Sequence, residues 1–406
     1  MQVTINKSKA KGTISAPPSK SMAHRLLICA GLSAGTSKVS GLSFSQDVLA
    51  TLDCLKVFGA RFTTCGNSVT ITGANPALYN GNEILNCREC GSTLRFMIPL
   101  CLTGTSEVKL TGSQTLMERP LKVYEDIASE QNLKYQLENG ILTVRGALCP
   151  GNYEITGSIS SQFVSGLLFS LPLLNGDSTL SLVPPVESRP YIDMTIEALK
   201  LFGINIISKN ENTYFIKGNQ SYKAANVKVE GDYSNAAFLE ALNLTGGSVC
   251  VEGLNPKSLQ GDKVYLKMFE KLKNGECNLN IADCPDLGPI LFTAAALCNG
   301  ATFTGTKRLK WKESDRVTAM MQELSKCGIF VTADENAVQV HRGILKTPKQ
   351  PISGHNDHRI VMSMAVLLTK TGGTIEGAEA VRKSYPDFFE KIKSLGVEVE
   401  INGMDK

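Results

Sequence analysis

The sequence predicts an α/β protein built from six copies of one unit, three in each of two lobes. Three observations carry this reading. An apolar helical stretch, a glycine turn and a short β-rich run recur along the chain. The turn glycines Gly35, Gly104, Gly176, Gly247, Gly300 and Gly373 stand 69, 72, 71, 53 and 73 residues apart, so one period is short and the others agree. After each β-rich run comes a second helical pattern ending at glycine, then two alternating strands. Repetition at a fixed period marks stacked supersecondary units. A period of roughly 70 residues suits globular lobes better than a continuous solenoid, whose repeats run about 20–45 residues.

The copies follow in order. HRLLICAGLSAGTSKVSGL opens the first, and LDCLKVFGARFTTCGNSVTITG closes it with a helix, a glycine and a hairpin. LRFMIPLCLTGTSEVKLTG is the second and SGLLFSLPLLNGDSTLSLV the third, the latter closed by IEALKLFGINIISKNENTYFIKG. AAFLEALNLTGGSVCVEGL is the fourth; it is truncated, ending at KLKNGECNLNIADC, which accounts for the short spacing. PILFTAAALCNGATFTG and IVMSMAVLLTKTGGTIEG begin the fifth and sixth, closed by MMQELSKCGIFVTADENAVQVHRG and FFEKIKSLGVEVEING. Apolar residues at helical spacing before a glycine mark a helix C-terminus, and alternation marks half-buried strands. Each unit therefore reads strand, helix, strand, helix, hairpin. The lobes should part near GNQSYKAANVKVEGD, where polar loop residues gather between Asn219 and Asn226.

Composition narrows the function. The chain has 406 residues, 42% hydrophobic and 20% charged, as for a soluble globular protein of two domains. A net charge of +4 is too weak to argue for nucleic acid, so any functional positive charge must be local. The 12 cysteines are scattered without a framework, as expected of reduced thiols in a cytoplasm. MQVTINKSKAKG lacks the apolar core of a secretory signal, and the longest apolar runs fall short of a membrane span. Walker and dinucleotide sequences do not occur. Cys87 and Cys90 form a C-x-x-C, but neither a second pair nor a histidine cluster completes a zinc site, and Arg88 and Glu89 between them do not suit a redox pair.

The informative signal lies just before the apolar helices, in PPSKSMAHR, ECGSTLR, GSISSQF, GDYSN, CPDLG and NDHR. Helix starts carry unpaired N–H groups and favour anions. Any one of these motifs could be a plain N-cap. Six together, with Lys20, Arg25, Arg95 and Arg359 beside them, point to multiply anionic ligands. Arginine suits phosphate and carboxylate because its fork makes two parallel hydrogen bonds. In TKRLKWKESDR, a helix would place Lys312 and Arg316 on one face, with Glu313 one position round.

Taken together, PSKSMAHR, GSTLR, ERP, GSISSQF, SRPYID, VEGDYSNAAFLEA, PDLGPI, KESDR, NDHRIVM and KSYPDFF resemble the 5-enolpyruvylshikimate-3-phosphate synthase family of enolpyruvyl transferases, over nearly the whole chain. The resemblance implies the two-lobed enolpyruvyl transferase fold, each lobe of three βαβαββ units. Lobe one would be 1–18 with 229–406 and hold mainly phosphoenolpyruvate. Lobe two would be 19–228 and hold mainly shikimate 3-phosphate, with the active site in the cleft between lobes. It implies transfer of the enolpyruvyl group of phosphoenolpyruvate to shikimate 3-phosphate with release of phosphate, and no metal or organic cofactor. Neither nucleic acid nor membrane would be a partner, and the chain would be a monomer.

Residue by residue, the resemblance implies that Lys20, Ser21, Arg25, Ser160, Ser161, Gln162, Ser188, Tyr191, Asp286, Arg308 and Lys312 meet shikimate 3-phosphate. Lys20, Gly91, Ser92, Arg119, Gln162, Arg316, Arg359 and Lys383 would meet phosphoenolpyruvate. Asp286 would be the base for the attacking hydroxyl and Glu313 the proton donor to the methylene, with Lys20 and Lys312 assisting. Glu89 and Ser92 depart from the family's usual Asn-Ala-Gly-Thr, while Arg308 and His24 stand where asparagine is frequent. Gly91 leaves space that an alanine methyl would fill, so inhibition by glyphosate is expected. The sister family acting on UDP-N-acetylglucosamine usually has a cysteine in the loop that here reads TGSQTLMERP, and Lys-Asn where Lys20-Ser21 stand. A non-catalytic anion binder would need the cations but not Asp286 and Glu313.

Overall fold

The six apolar stretches become six helices buried on nearly every side, as helices without a polar face must be. The computed structural model describes residues 1–275 and 277–403. The chain forms two compact bodies, Met1–Ser19 with Gly231–Lys406 (lobe one) and Lys20–Glu230 (lobe two), each around its own apolar core.

The chain begins in lobe one with β1 (Gln2–Ile5) and β2 (Lys11–Ser15). Lobe two follows with α1 (Lys20–Gly31), β3 (Thr36–Ser40), α2 (Gln46–Val57), β4 (Arg61–Cys65) and β5 (Ser68–Thr72). Its second repeat comprises β6 (Ile84–Asn86), α3 (Gly91–Cys101), β7 (Val108–Thr111), the single turn α4 (Gln114–Met117), α5 (Lys122–Glu130), β8 (Lys134–Glu138) and β9 (Ile141–Arg145). The third comprises β10 (Asn152–Thr156), α6 (Ser161–Ser170), β11 (Ser178–Val183), α7 (Arg189–Leu201), β12 (Ile206–Asn210) and β13 (Thr213–Ile216), and β14 (Asn226–Lys228) ends the lobe.

Lobe one resumes with α8 (Tyr233–Ala241), β15 (Ser248–Glu252) and α9 (Tyr265–Asn274). Next come β16 (Asn278–Asn280), α10 (Gly288–Leu297), β17 (Ala301–Thr304), α11 (Arg316–Lys326), β18 (Val331–Ala333) and β19 (Ala337–Val340). The last repeat is β20 (Ile352–Ser353), α12 (His358–Thr371), β21 (Gly373–Glu376), α13 (Phe388–Ser394) and β22 (Val399–Asn402).

Among the described residues five sheets have four strands, a parallel pair followed by two antiparallel strands; in β6-β7-β9-β8, β10-β11-β13-β12 and β16-β17-β19-β18 a buried helix joins the parallel pair and the antiparallel strands form a hairpin. The sixth, β15-β2, has two strands, because the fourth repeat lacks the hairpin that its shortened period omits.

Three strands come from outside their own repeat. The first strand of the first sheet is β14, parallel to β3; that of the fourth is β2, parallel to β15. In the last sheet β1 lies between β21 and β22, antiparallel to both, with Val3 opposite Ile375 and Ile401. FFEKIKSLGVEVEING therefore supplies one strand and not the hairpin its pattern suggested. The second is the start of the chain, which makes lobe one discontinuous in sequence.

The central helices of lobe two, α1, α3 and α6, are buried apart from Lys20 and Ser21, Ser92, and Gln162 among the described residues. Those four positions lie in first turns, where the motifs were read. α3 and α6 meet closely at Gly166, where a Cβ would stand 2.6 Å from the Arg95 carbonyl oxygen, and Phe96 and Phe169 pack edge to face at 5.4 Å. In lobe one α8, α10 and α12 are buried likewise. No described helix is long and apolar enough to cross a membrane.

Candidate active site

In lobe two, the first turn of α1 presents Lys20, whose Nζ donates to Asp47 Oδ2 on α2 at 2.7 Å. Arg25, a turn further in, is buried, and the lobe itself satisfies its guanidinium. Nε donates to Thr195 Oγ1 at 2.8 Å, Nη1 to the Ser21 carbonyl at 2.7 Å and Nη2 to the Tyr191 carbonyl at 2.9 Å. Burial pushes its pKa down to about 10, so it stays charged at neutral pH. Its guanidinium carbon also lies 5.5 Å from the centre of the Phe96 ring and 5.9 Å from that of Tyr191. Ser21, Arg25 and Tyr191 are thus one assembly. Ser188 joins it through its carbonyl, which accepts from Tyr191 N at 3.1 Å. Ser188 has φ of +58° and is buried, a left-handed conformation that a serine holds only where surroundings impose it.

A second assembly forms where α3 and α6 begin. Gln162 donates from Nε2 to Ser92 Oγ at 2.9 Å and accepts at Oε1 from Arg95 Nη1 at 2.7 Å. Arg95 also donates to the Pro120 carbonyl at 3.3 Å, and its pKa is pushed down to about 10 by burial and then by neighbouring Arg119. A Cβ on Gly91 would lie 3.0 Å from Arg119 Nη1 and 3.2 Å from Arg95 Nη1. Two guanidinium groups therefore converge on this glycine at a helix start. Ser160 caps α6, accepting from Gln162 N at 3.3 Å, and Ser161 follows it, buried. Gly91, Ser92, Arg119 and Gln162 are brought together as one cationic corner.

Cys90 and His24 share one buried cluster. Cys90 caps α3, its Sγ accepting from Thr93 N at 3.4 Å, and lies 3.7 Å from His24 Nε2. His24 Nδ1 meets Thr51 Oγ1 at 2.7 Å, which meets Thr93 Oγ1 at 2.8 Å. Burial holds His24 down to about 3, hence neutral, and pushes the Cys90 thiol up to about 12. His24, Cys90 and Asp47 have atoms near enough to share an ion, yet each is already engaged in these contacts or with Lys20. The pair braces the helix starts. Glu89 is half-buried beside it, and Arg88 pairs with Asp53 at 2.7 Å.

Lobe one gathers its residues round Asp286. Its Oδ1 accepts from Lys312 Nζ at 3.3 Å and from Arg316 Nη1 at 3.1 Å, and its Oδ2 from Arg359 Nη2 at 3.0 Å. Arg359 reaches from the first turn of α12 and also donates to the Asp286 carbonyl at 3.0 Å and Ser234 Oγ at 2.5 Å. Behind it Asp357 caps α12 through Arg359 N at 2.9 Å and takes Arg316 Nε at 2.8 Å. Burial alone would lower the Arg316 pKa; Asp357, Asp286 and Glu313 together hold it above the ordinary arginine value. Glu313 Oε2 lies 2.8 Å from His358 Nδ1 and 3.9 Å from Lys383 Nζ, which donates to the Asn356 carbonyl at 2.5 Å. Arg308 is buried and donates to the Ala282 carbonyl at 2.5 Å, in the loop leading to Asp286.

One local expectation fails. Lys312 and Arg316 do not share a helix face: Lys312 is extended after a short 3-10 turn, and α11 starts only at Arg316. Asp315 stops the helix from reaching back, because its Oδ1 accepts from Val317 N and Thr318 N as an N-cap. The two cations meet through Asp286 instead. Asp47, Asp357 and His358 were not singled out from sequence. For Asp357 and His358 the signal was available in NDHR, where only the arginine was singled out; Asp47 lies in an ordinary amphipathic helix and carries no such mark.

The fold and these residues define a transferase-like α/β protein of repeated units with cations and carboxylates at helix starts, suited to phosphorylated and carboxylated substrates. The family model described as EPSP synthase (3-phosphoshikimate 1-carboxyvinyltransferase) matches residues 5–392, and the chain belongs to that family. The 3-phosphoshikimate 1-carboxyvinyltransferase of Clostridium kluyveri is 40% identical, covering 98% of each chain, and that of Clostridium perfringens strain ATCC 13124 is 40% identical, covering 97% of this chain and 98% of its own. A solved structure of EPSP synthase from Acinetobacter baumannii shares the fold at a TM-score of 0.79 and 23% identity, covering 99% of this chain and 100% of that one.

Proposed function

We propose that the chain transfers the enolpyruvyl group of phosphoenolpyruvate to the 5-hydroxyl of shikimate 3-phosphate and releases phosphate. Family membership supports the reaction, and the meeting of Lys312, Arg316 and Arg359 on Asp286 carries its assignment to residues. Each of those N–H groups can serve an incoming carboxylate or phosphate, so binding competes with Asp286 for its partners. Displaced from them, the carboxylate is left to accept the proton of the attacking hydroxyl.

The balance is simple. The hydroxyl oxygen bonds to the enol carbon, its proton passes to Asp286, and the methylene carbon takes a proton from Glu313. The tetrahedral adduct then returns a methyl proton to Glu313 as the carbon–oxygen bond to phosphate breaks, and the departing phosphate takes the proton held by Asp286, so both carboxyl groups end as they began. Lys383 beside Glu313 and Lys312 beside Asp286 steady the charges that come and go. Ser21, Arg25, Ser160, Ser161, Gln162, Ser188 and Tyr191 are assigned to shikimate 3-phosphate. Gly91, Ser92, Arg119, Arg316, Arg359 and Lys383 are assigned to phosphoenolpyruvate, with Lys20 and Gln162 serving both. Arg308 is assigned to the shikimate phosphate, a contact its present bond to Ala282 would have to yield. We read the chain as cytoplasmic and monomeric; light scattering on purified protein tests the monomer, and fractionation of cells tests the location.

The deciding assay is phosphate release from phosphoenolpyruvate with shikimate 3-phosphate, against UDP-N-acetylglucosamine and each substrate alone. Release only with shikimate 3-phosphate is expected. Release with the nucleotide sugar, or with neither acceptor from folded protein, overturns the reading.

A further inference from the structure

Glu323 is a buried carboxylate on α11 that the proposed chemistry does not use. It lies seven residues after Arg316, hence on the same buried face of the helix. Burial would raise its pKa, but hydrogen bonds from His355, Lys326 and Ser353 hold it below the ordinary carboxylate value. Its Oε2 accepts from Ser353 N at 3.0 Å and Lys326 Nζ at 2.7 Å, and its Oε1 meets His355 Nε2 at 2.8 Å. Lys326 also donates to the Pro351 carbonyl at 2.9 Å. One helix thus grips the chain at Pro351, Ser353 and His355.

The gripped segment is strained. His355 and Asn356 have φ of +47° and +50°, two adjacent residues other than glycine in the left-handed region. Such a pair persists only where surroundings over-determine it. Gly354 before it has no room for a side chain, since a Cβ would lie 2.7 Å from the Gly377 carbonyl oxygen. Out of this turn come four consecutive contacts to site residues. The Asn356 carbonyl takes Lys383, Asp357 takes Arg316, His358 meets Glu313, and Arg359 meets Asp286.

We propose that Glu323 and His355 form a positioning bracket that holds the left-handed turn at 355–356 and thereby sets the phosphoenolpyruvate-binding cations of lobe one. The identity of the ligand rests on the function proposed above; the bracket itself does not. Neither residue touches a proposed substrate group, so both act through the turn. The residues assigned to shikimate 3-phosphate in lobe two lie on another body and should not feel the loss.

The test compares Glu323→Ala, His355→Ala, His355→Gln and His355→Gly with the wild type. Glu323→Ala and His355→Ala should raise the KM for phosphoenolpyruvate about tenfold or more, with the KM for shikimate 3-phosphate changed less than about twofold. His355→Gln keeps a donor for Glu323 and should restore most of the loss. His355→Gly relieves the backbone while removing the anchor, so it should be as poor as alanine; wild-type behaviour would show that strain alone matters and overturn the bracket. Equal rises in both KM values, or a lowered Tm with both unchanged, would also overturn it. Hydrogen exchange reads the bracket independently of any reaction. Peptides covering 353–359 should exchange faster in Glu323→Ala, and those of 20–230 should not. Unchanged exchange at 353–359 sinks the bracket, whereas an inactive wild type with the expected exchange sinks only the assigned function.

Discussion

Asp357 accepts Nε and Nη2 of Arg316 at 2.8 and 3.3 Å, with the aspartate side chain wholly buried and the arginine 2% exposed. The remaining Nη1 goes to the more exposed Asp286, so this pair is the inner anchor of the cation cluster. Removing one member of a buried pair leaves an uncompensated charge, at about 3–5 kcal/mol. Asp357→Ala should therefore lower the unfolding free energy by about that much in urea titrations; a change well under ~1 kcal/mol would contradict the pairing. Burial would raise the Asp357 pKa, but Arg316 holds it below the ordinary value. Its stabilisation is thus present above the unfolded carboxylate pKa of about 4 and disappears as pH falls through the lower folded value. The stability gap between wild type and variant should close below about pH 4.

Lys312 titrates where it can be seen. Burial lowers its pKa to about 8, opposed by Asp286 and reinforced by Arg316, Arg308 and Arg359. If its ammonium serves the substrates, kcat/KM should fall as pH rises through about 8. Lys312→Arg should remove that alkaline limb, at whatever lower rate it supports. Stability moves the other way. Between the folded and unfolded values the unfolded chain binds more protons, so unfolding free energy rises with pH across that window. A loss of rate that tracks a loss of stability would refute the assignment.

The repeat was legible because its signals are local: an apolar helix, a glycine and a hairpin announce themselves within about 70 residues. The three displaced strands were not, since β1, β2 and β14 have only three to five residues each and their partners are set by pairing across the chain. The cations at the helix starts stood out from sequence because charge inside an apolar pattern is conspicuous. Their counter-ions did not. Asp47 and Glu323 sit in amphipathic helices where carboxylates are ordinary, and Asp357 reads as a cap, which it also is. Asp286 and Glu313 needed the family resemblance to be assigned roles. The helix expected across Lys312 and Arg316 is not formed because Asp315 caps a helix that starts only at Arg316.

The cysteines should prove chemically quiet at the site. Burial raises the Cys90 thiol to about 12, whereas Cys65, Cys149 and Cys250 are exposed. Native protein should show these three thiols reacting fast with an aromatic disulfide reagent, with phosphate release retained. Cys90→Ala loses a long cap contact to Thr93 N and the 3.7 Å contact to His24 Nε2, and should cost about 1 kcal/mol or less. Rapid loss of activity together with modification of Cys90, mapped by mass spectrometry, would show that the buried cluster opens.

Gly91 tests the anion corner most directly. Alanine there would set its methyl 3.0 Å from Arg119 Nη1 and 3.2 Å from Arg95 Nη1, contacts tight enough that a guanidinium must shift by a few tenths of an ångström. Arg95 is held by Gln162 and the Pro120 carbonyl, so Arg119 is the group with freedom to move. The methyl also takes space at the helix start where the phosphate of phosphoenolpyruvate, or the phosphonate of glyphosate, is assigned. Glyphosate should inhibit the wild type in competition with phosphoenolpyruvate. In Gly91→Ala the inhibition curve should move to about tenfold higher concentration or more, a loss of roughly 1.4 kcal/mol. The KM for phosphoenolpyruvate should rise as well, because both anions are assigned to the same corner. Shikimate 3-phosphate, assigned chiefly to Arg25 on α1 and to Ser188 and Tyr191 at the start of α7, should bind almost unchanged. An unshifted curve would mean that neither anion occupies the helix start at Gly91.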